Sequence, residues 1–151
     1  QFHAEDLCAD ILKLMAEINP KIIITHSCCD QHTDHKSVAN VVNSAIELLF
    51  HLLKDECKLQ YLMAFPPIRL GIDSLKSFTP MILCDVTDYC KTKESAVLIH
   101  SSQIPYIELN LKKHLALSRF YGTLISSEYA EGYSYKHFND DVSMEYILRI
   151  L

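Results

Sequence analysis

A chain of 151 residues with 14 Lys and Arg against 19 Asp and Glu carries a formal charge of -5, and 49% of it is apolar and 22% charged. This is one domain's length of ordinary globular composition, able to bury a core without disulfide staples. The acidic balance excludes the basic footprint that nucleic acid or an anionic membrane requires. The three glycines, Gly71, Gly122 and Gly132, leave no GxGxxG or GxxxxGK-S/T loop for a nucleotide.

From His3 to Ile18 the apolar residues Leu7, Ile11, Leu14, Met15 and Ile18 fall on one helical stripe. Asn19-Pro20 ends it, because the residue before proline is pushed out of the helical region. Lys21 to Thr25 reads as a short buried strand of a parallel sheet, and the polar stretch His26 to Asp34 follows. A second amphipathic helix is expected over Lys36 to Leu53, its start close to Asp34 and capped by Asp30 or Asp34. Its apolar run, Val38 to Leu53, is broken by Asn40, Asn43, Glu47 and His51 and is too polar to span a membrane. Strands are expected over Leu59 to Phe65, ended by Pro66-Pro67, and over Met81 to Val86, after a turn-like segment from Gly71 to Pro80. Helices are expected over Asp88 to His100, with Asp88 as N-cap, and over Ile107 to Ile125, where Gly122 is a weak spot. Alternating helices and buried strands predict an α/β layered domain with a mostly parallel sheet and no internal boundary.

Cys8, Cys28, Cys29, Cys57, Cys84 and Cys90 contain no CxxC pair. Four of them, Cys8, Cys28, Cys84 and Cys90, lie in or beside apolar segments, so buried reduced thiols and a reducing cytoplasm are expected. No basic start followed by an apolar stretch marks a secretory signal. The chain begins at Gln1 without Met.

The segment Thr25 to His35 sets three histidines and two aspartates between a buried strand and a helix. An α/β protein places its site there, beyond the carboxyl ends of its strands. His32 and His35 are three apart and share a face once the helix includes them. Asp34 is placed to hydrogen-bond an imidazole and fix which ring nitrogen is free. A polar loop capping a helix is the competing reading of the same residues. His26, at a strand end, is expected to be a structural hydrogen bonder. Cys28 and Cys29 adjoin the histidines, but neighbouring side chains diverge, and neither thiol is marked as an activated nucleophile. His51, His100 and His114 sit singly in helical patterns and are set aside. Arg69 reads as a surface charge and Glu131 as an anchor for the tail. Tyr129, Tyr133, Tyr135 and Phe138 are available to floor a sugar subsite or cover a sheet edge.

The block KIIITHSCCDQHTDHKSVANVV resembles the strand-TH-x3-D-x-H-x-D-H-helix segment of the LmbE-like, or PIG-L-like, zinc-dependent deacetylases of N-acetylglucosamine-type substrates. ILCDVTDYCKTKESAVLIHSSQ is similar to their VDIT...K..A...H.SQ segment, and Tyr129 to Tyr133 to their YAE-aromatic tail, in the same order over roughly residues 5 to 135. The resemblance implies a Rossmann-like fold, with His35 as a Zn2+ ligand, His32 facing the substrate carbonyl, and Asp34 orienting or charge-stabilising a histidine. It implies a small-molecule acetamido sugar or sugar conjugate as substrate, with no nucleic-acid or membrane partner.

Two departures qualify what the resemblance implies. Thr33 stands where the family commonly has Pro, which changes loop stiffness only. The family's N-terminal A-H-P-D-D motif has no counterpart here. Zinc hydrolysis needs about three protein ligands and an open position, then a carboxylate to take the water's proton and a donor for the oxyanion. Residues 1–151 are therefore expected to be the C-terminal portion of a deacetylase domain. N-terminal strands, two metal ligands and the base would lie elsewhere, and the chain alone would be inactive. The exposed sheet edge is expected to associate with that missing half or with a second copy. The alternative is a non-catalytic binding or regulatory module that keeps the deacetylase-like fold.

Overall fold

A computed structural model describes residues 4–67, 78–100 and 104–138. Helix α1 spans Ala4–Ile18. Asn19 then swings to φ 47°, which turns the chain out of the right-handed helix before Pro20. Its side chain ties this corner to a distant loop, donating to the Glu56 carbonyl at 2.8 Å and accepting from the Lys58 N–H at 2.9 Å.

Strand β1, Ile22–His26, leads through a six-residue loop into α2, Thr33–Leu53. The helix begins three residues earlier than expected, and neither aspartate caps it. His32, with φ -77° and ψ 127°, is the N-cap, its ring accepting from the Asp34 N–H. Strands β2, Tyr61–Phe65, and β3, Ile82–Asp85, follow. After β3 a short 3-10 turn, Thr87–Tyr89, precedes helix α3, Cys90–Leu98. Asp88 makes no cap there. The turn is fastened by Asp85, which accepts from the Thr87 N–H at 2.9 Å and from its hydroxyl at 2.6 Å. Helix α4, Ile104–Leu124, begins three residues before the expected start, and β4, Ala130–His137, ends the described chain.

The sheet order is β1-β2-β4-β3. β1 and β2 are parallel, joined through α2 as a βαβ unit, while β4 runs antiparallel to both β2 and β3. Three strands thus share one direction, but the reversed β4 lies between two of them, so one of the three described pairings is parallel and two are antiparallel. The turn-like segment from Gly71 and the residue Arg69 lie outside the described residues apart from positions 78–80.

The pleat sorts the core into two faces. Ile23 and Leu62 point to one side, where Met15, Val42, Ala45, Ile46 and Leu49 of α1 and α2 close over them. Leu49 and Leu59 are sealed from solvent, each worth about 1.5–3 kcal/mol of burial. On the other side Tyr61, Met63 and Ile82 pack with Ile22, Tyr133 and Tyr135. Gly122 is more than a weak helical position. A Cβ there would lie 2.7 Å from the Ser127 and Glu128 carbonyls, and the chain folds back tightly enough that Ser127 donates to the Gly122 carbonyl at 3.0 Å.

All six cysteines are free thiols. Of the four expected in apolar surroundings only Cys90 is buried, Cys8 and Cys84 are half-buried, and Cys28 is exposed because its loop turns outward. No described helix is long and apolar enough to cross a membrane.

Candidate functional site

The loop from Ser27 to His32 is short and folds on itself. The Asp30 N–H donates to the Ser27 carbonyl at 3.1 Å and the Cys29 N–H to the Ser27 hydroxyl at 3.2 Å. This turn pushes the Asp30 carboxylate inward, to 0% exposure, while Cys28 and Cys29 face solvent. Partial desolvation by the surrounding loop and the neighbouring Cys29 push the Cys28 thiol above its ordinary value, the opposite of what a nucleophilic cysteine needs.

A buried carboxylate must be satisfied, and Asp30 is satisfied by the start of α2. Its Oδ1 accepts from the His32 N–H at 2.9 Å, and its Oδ2 lies 2.9 Å from His35 Nδ1. The carboxylate is an acceptor, so in the neutral His35 ring Nδ1 carries the proton and Nε2 the lone pair, the arrangement that prepares an imidazole for a metal. His35 is 20% exposed at its side chain. Its ring stacks on His26 at 4.2 Å and 7° between planes, and on His32 at 4.5 Å and 25°.

His26 belongs to this group because it is the last residue of β1, where the strand runs out beside the start of α2. It alternates with Ile22 and Ile24 on one face of β1. Burial lowers its pKa first, the nearby His35 lowers it further, and the Asp30 charge opposes both. Its buried Nδ1 has no hydrogen-bond partner. One donor atom from each of His26, Asp30 and His35 lies within 4.8 Å of the others. The two imidazoles are donors suited to zinc and other divalent first-row metals, the Asp30 carboxylate stands behind His35, and the orphaned His26 nitrogen gives such an ion a vacant acceptor to meet. These residues fit a metal.

His32 sits at the rim. Its Nδ1 accepts from the Asp34 N–H at 3.2 Å, so the ring proton of the neutral form is on Nε2, available for donation. The Asp34 carboxylate is 84% exposed and its Oδ2 stands 3.9 Å from His32 Nδ1. The carboxylate that touches His35 is Asp30. Helical spacing predicts the nearness of His32 and His35, whereas the sequence favours Asp30 as a cap and His26 as a structural residue over a ligand.

On the sheet face that carries His26, a cavity of about 470 Å³ opens between the strands and helices α3 and α4. Its polar end is an ion pair of Lys93 with Glu131, and the Tyr133 hydroxyl donates to the other Glu131 oxygen at 2.5 Å. Burial alone would raise the Glu131 pKa, but the hydrogen bonds from Lys93 and Tyr133 outweigh it and hold the carboxyl below its ordinary value. Burial and that same hydrogen bond push the Tyr133 phenol far up. His114, set aside as a helical histidine, lines this cavity.

The Glu131 shift has a sign that can be checked. Its folded pKa is below the unfolded value of 4.5, so the unfolded chain binds more protons in acid and stability rises with pH. The contribution is whole above about pH 5 and is lost as pH falls through the depressed folded value. Denaturant titrations at pH 7 and pH 3.5 are expected to show a smaller acid-induced loss in Glu131→Gln than in the unaltered chain. An identical loss in both would remove Glu131 from the account.

No family profile and no curated protein matches the sequence. Solved structures do share its fold. The 4-carboxy-2-hydroxymuconate hydratase GalB from Pseudomonas putida superposes with a TM-score of 0.70 at 16% identity, over 92% of this chain and 62% of its own. The conserved protein TT1542 from Thermus thermophilus gives 0.69 at 17%, over 91% and 63%. The N,N'-diacetylchitobiose deacetylase from Pyrococcus horikoshii gives 0.61 at 17%, over 87% and 51%. The chain therefore spans less than two thirds of each of these proteins and has the α/β fold on which both a deacetylase and a hydratase are built.

Proposed function

We propose that the protein to which this chain belongs is a zinc-dependent N-deacetylase of an acetamido sugar or sugar conjugate. The observation that carries the reading is the convergence of His26, buried Asp30 and His35 at one strand-to-helix junction, with a buried ring nitrogen left unpaired. The sugar deacetylase among the proteins of the same fold and the motif in Thr25 to His35 support the choice of reaction, since a fold by itself selects none.

In this reading His35 and His26 hold the ion, and Asp30 sets the tautomer and orientation of His35. When bound, the zinc ion supplies a water of lowered pKa at neutral pH. His32 presents its Nε2 proton to the substrate carbonyl and to the negative charge that develops there. Asp34 orients His32 through its main-chain N–H, with its carboxylate nearby in solvent. The six free thiols support a reducing, cytoplasmic setting. β1 ends the described sheet, which supports pairing along this edge with a further segment or a second chain.

The test is acetate release from N-acetylglucosamine and its conjugates by the full protein, with zinc content measured in parallel. His35→Ala is expected to lose both bound zinc and turnover. Turnover and stoichiometric zinc retained in that variant would reject the proposal.

A further inference from the structure

We infer that the 470 Å³ cavity beside the histidines takes an apolar substituent of the substrate, so that the ligand is a sugar conjugate carrying an alkyl or aryl group rather than a free sugar. The inference rests on reading the His26, Asp30 and His35 group as the place of reaction.

The size is in the range of small-molecule sites, which run to roughly 300–1,000 Å³. Most of the wall is apolar and comes from separate parts of the fold, Ile24 of β1, Phe65 and Pro66 at the end of β2, Val97 of α3, and Leu111 and Leu117 of α4, while Asn110, His114 and Ser118 of α4 add polar points. The cavity's lysine and its carboxylate, Lys93 and Glu131, are paired with each other, and His114 lies near enough for its charge to act on Glu131. Tyr133 donates to the remaining Glu131 oxygen. The Lys93–Glu131 pair is neutral, so a charged guest would be desolvated without a free countercharge in this pair, while an apolar guest meets no such penalty and gains by leaving water.

Position supplies the link to the site. Phe65 lies edge-on to His26 at 4.8 Å between ring centroids, and the two are register partners on neighbouring strands. Ile24 precedes His26 by two residues and so shares its face of the sheet. Phe65 and Ile24 thus mark the end of the cavity nearest His26, so a guest with its apolar part inside would hold its polar part on the side of the imidazoles.

Calorimetric titration of the full protein with methyl and n-octyl glycosides of N-acetylglucosamine, the latter below its micellar concentration, tests this directly. The octyl probe is expected to bind one-to-one and at least 10-fold more tightly than the methyl probe. Val97→Trp, which fills the cavity from α3, is expected to erase that difference. Leu111→Gln, which makes the wall polar, is expected to narrow it several-fold and serves if the tryptophan variant does not fold. An n-octyl glucoside without the acetamido group is expected to keep its advantage over methyl glucoside. That arm stands or falls independently of amide hydrolysis. Equal affinity for the two chain lengths, no saturable octyl binding, or an octyl preference that survives in folded Val97→Trp would overturn the inference.

Discussion

Asp30→Ala is expected to destabilise the protein by about 3 kcal/mol, because it removes an acceptor of two hydrogen bonds, each worth about 1.5–3 kcal/mol when the acceptor is charged. The carboxylate is fully buried and holds the His32 N–H and the His35 ring, each at 2.9 Å. Without it both donors face a void instead of a partner. Asp30→Asn keeps the volume and one carbonyl oxygen but loses the charge that fixes the His35 proton on Nδ1. Its stability is expected to fall less, while zinc affinity drops about 10–100-fold, the usual effect of removing the group behind a metal-bound histidine. Denaturant unfolding measures the first effect and competition with a chromophoric chelator the second. An alanine variant within about 0.5 kcal/mol of the unaltered protein, a typical surface effect, would show that Asp30 is not a support of the site.

His32 is expected to separate stability from turnover. Its alanine variant loses the helix N-cap, a cost of about 0.5–2 kcal/mol, and the Nε2 donor, a cost of about 10²–10³ in kcat if that donor faces the developing oxyanion. His32→Asn restores the cap, since asparagine is among the best N-cap residues, but its short side chain does not place a donor where the imidazole Nε2 lies. Turnover is therefore expected to stay depressed in His32→Asn while the unfolding midpoint returns toward that of the unaltered protein. Recovery of both together would assign His32 to helix capping alone.

The helices and the first three strands were legible because their signals are local. The i, i+4, i+7 stripe of α1 and the β-branched run of β1 each state a period, and the observed bounds differ from the expected ones by up to three residues at an end, but the burial they imply fails at Leu14, Ile18 and Ile24, which are exposed. β4 was not legible as a strand. AEGYSYKH mixes a glycine, a glutamate and a lysine, and its strand state is imposed by the two neighbours that hydrogen-bond to it. Gly132 is needed there because a Cβ would lie 2.8 Å from Pro80 and Tyr121, a contact no local pattern reveals. Within the site, the pairing of His32 with His35 followed from helical spacing. Asp30 did not, since its burial depends on how the loop turns at Ser27. The alternation of Ile22, Ile24 and His26 was available in the sequence and would have placed His26 on the face opposite the α1 and α2 core.

The central seat of β4 constrains the order of events during synthesis. β3 finds its described sheet partner only in a strand that leaves the ribosome some fifty residues later, and β2 gains its second neighbour at the same moment. Contacts of such long sequence separation form slowly, because loop-closure entropy is spent before any pairing is gained. A nascent chain halted after α4 would present two open strand flanks, and chaperone binding and aggregation should be greatest in that interval.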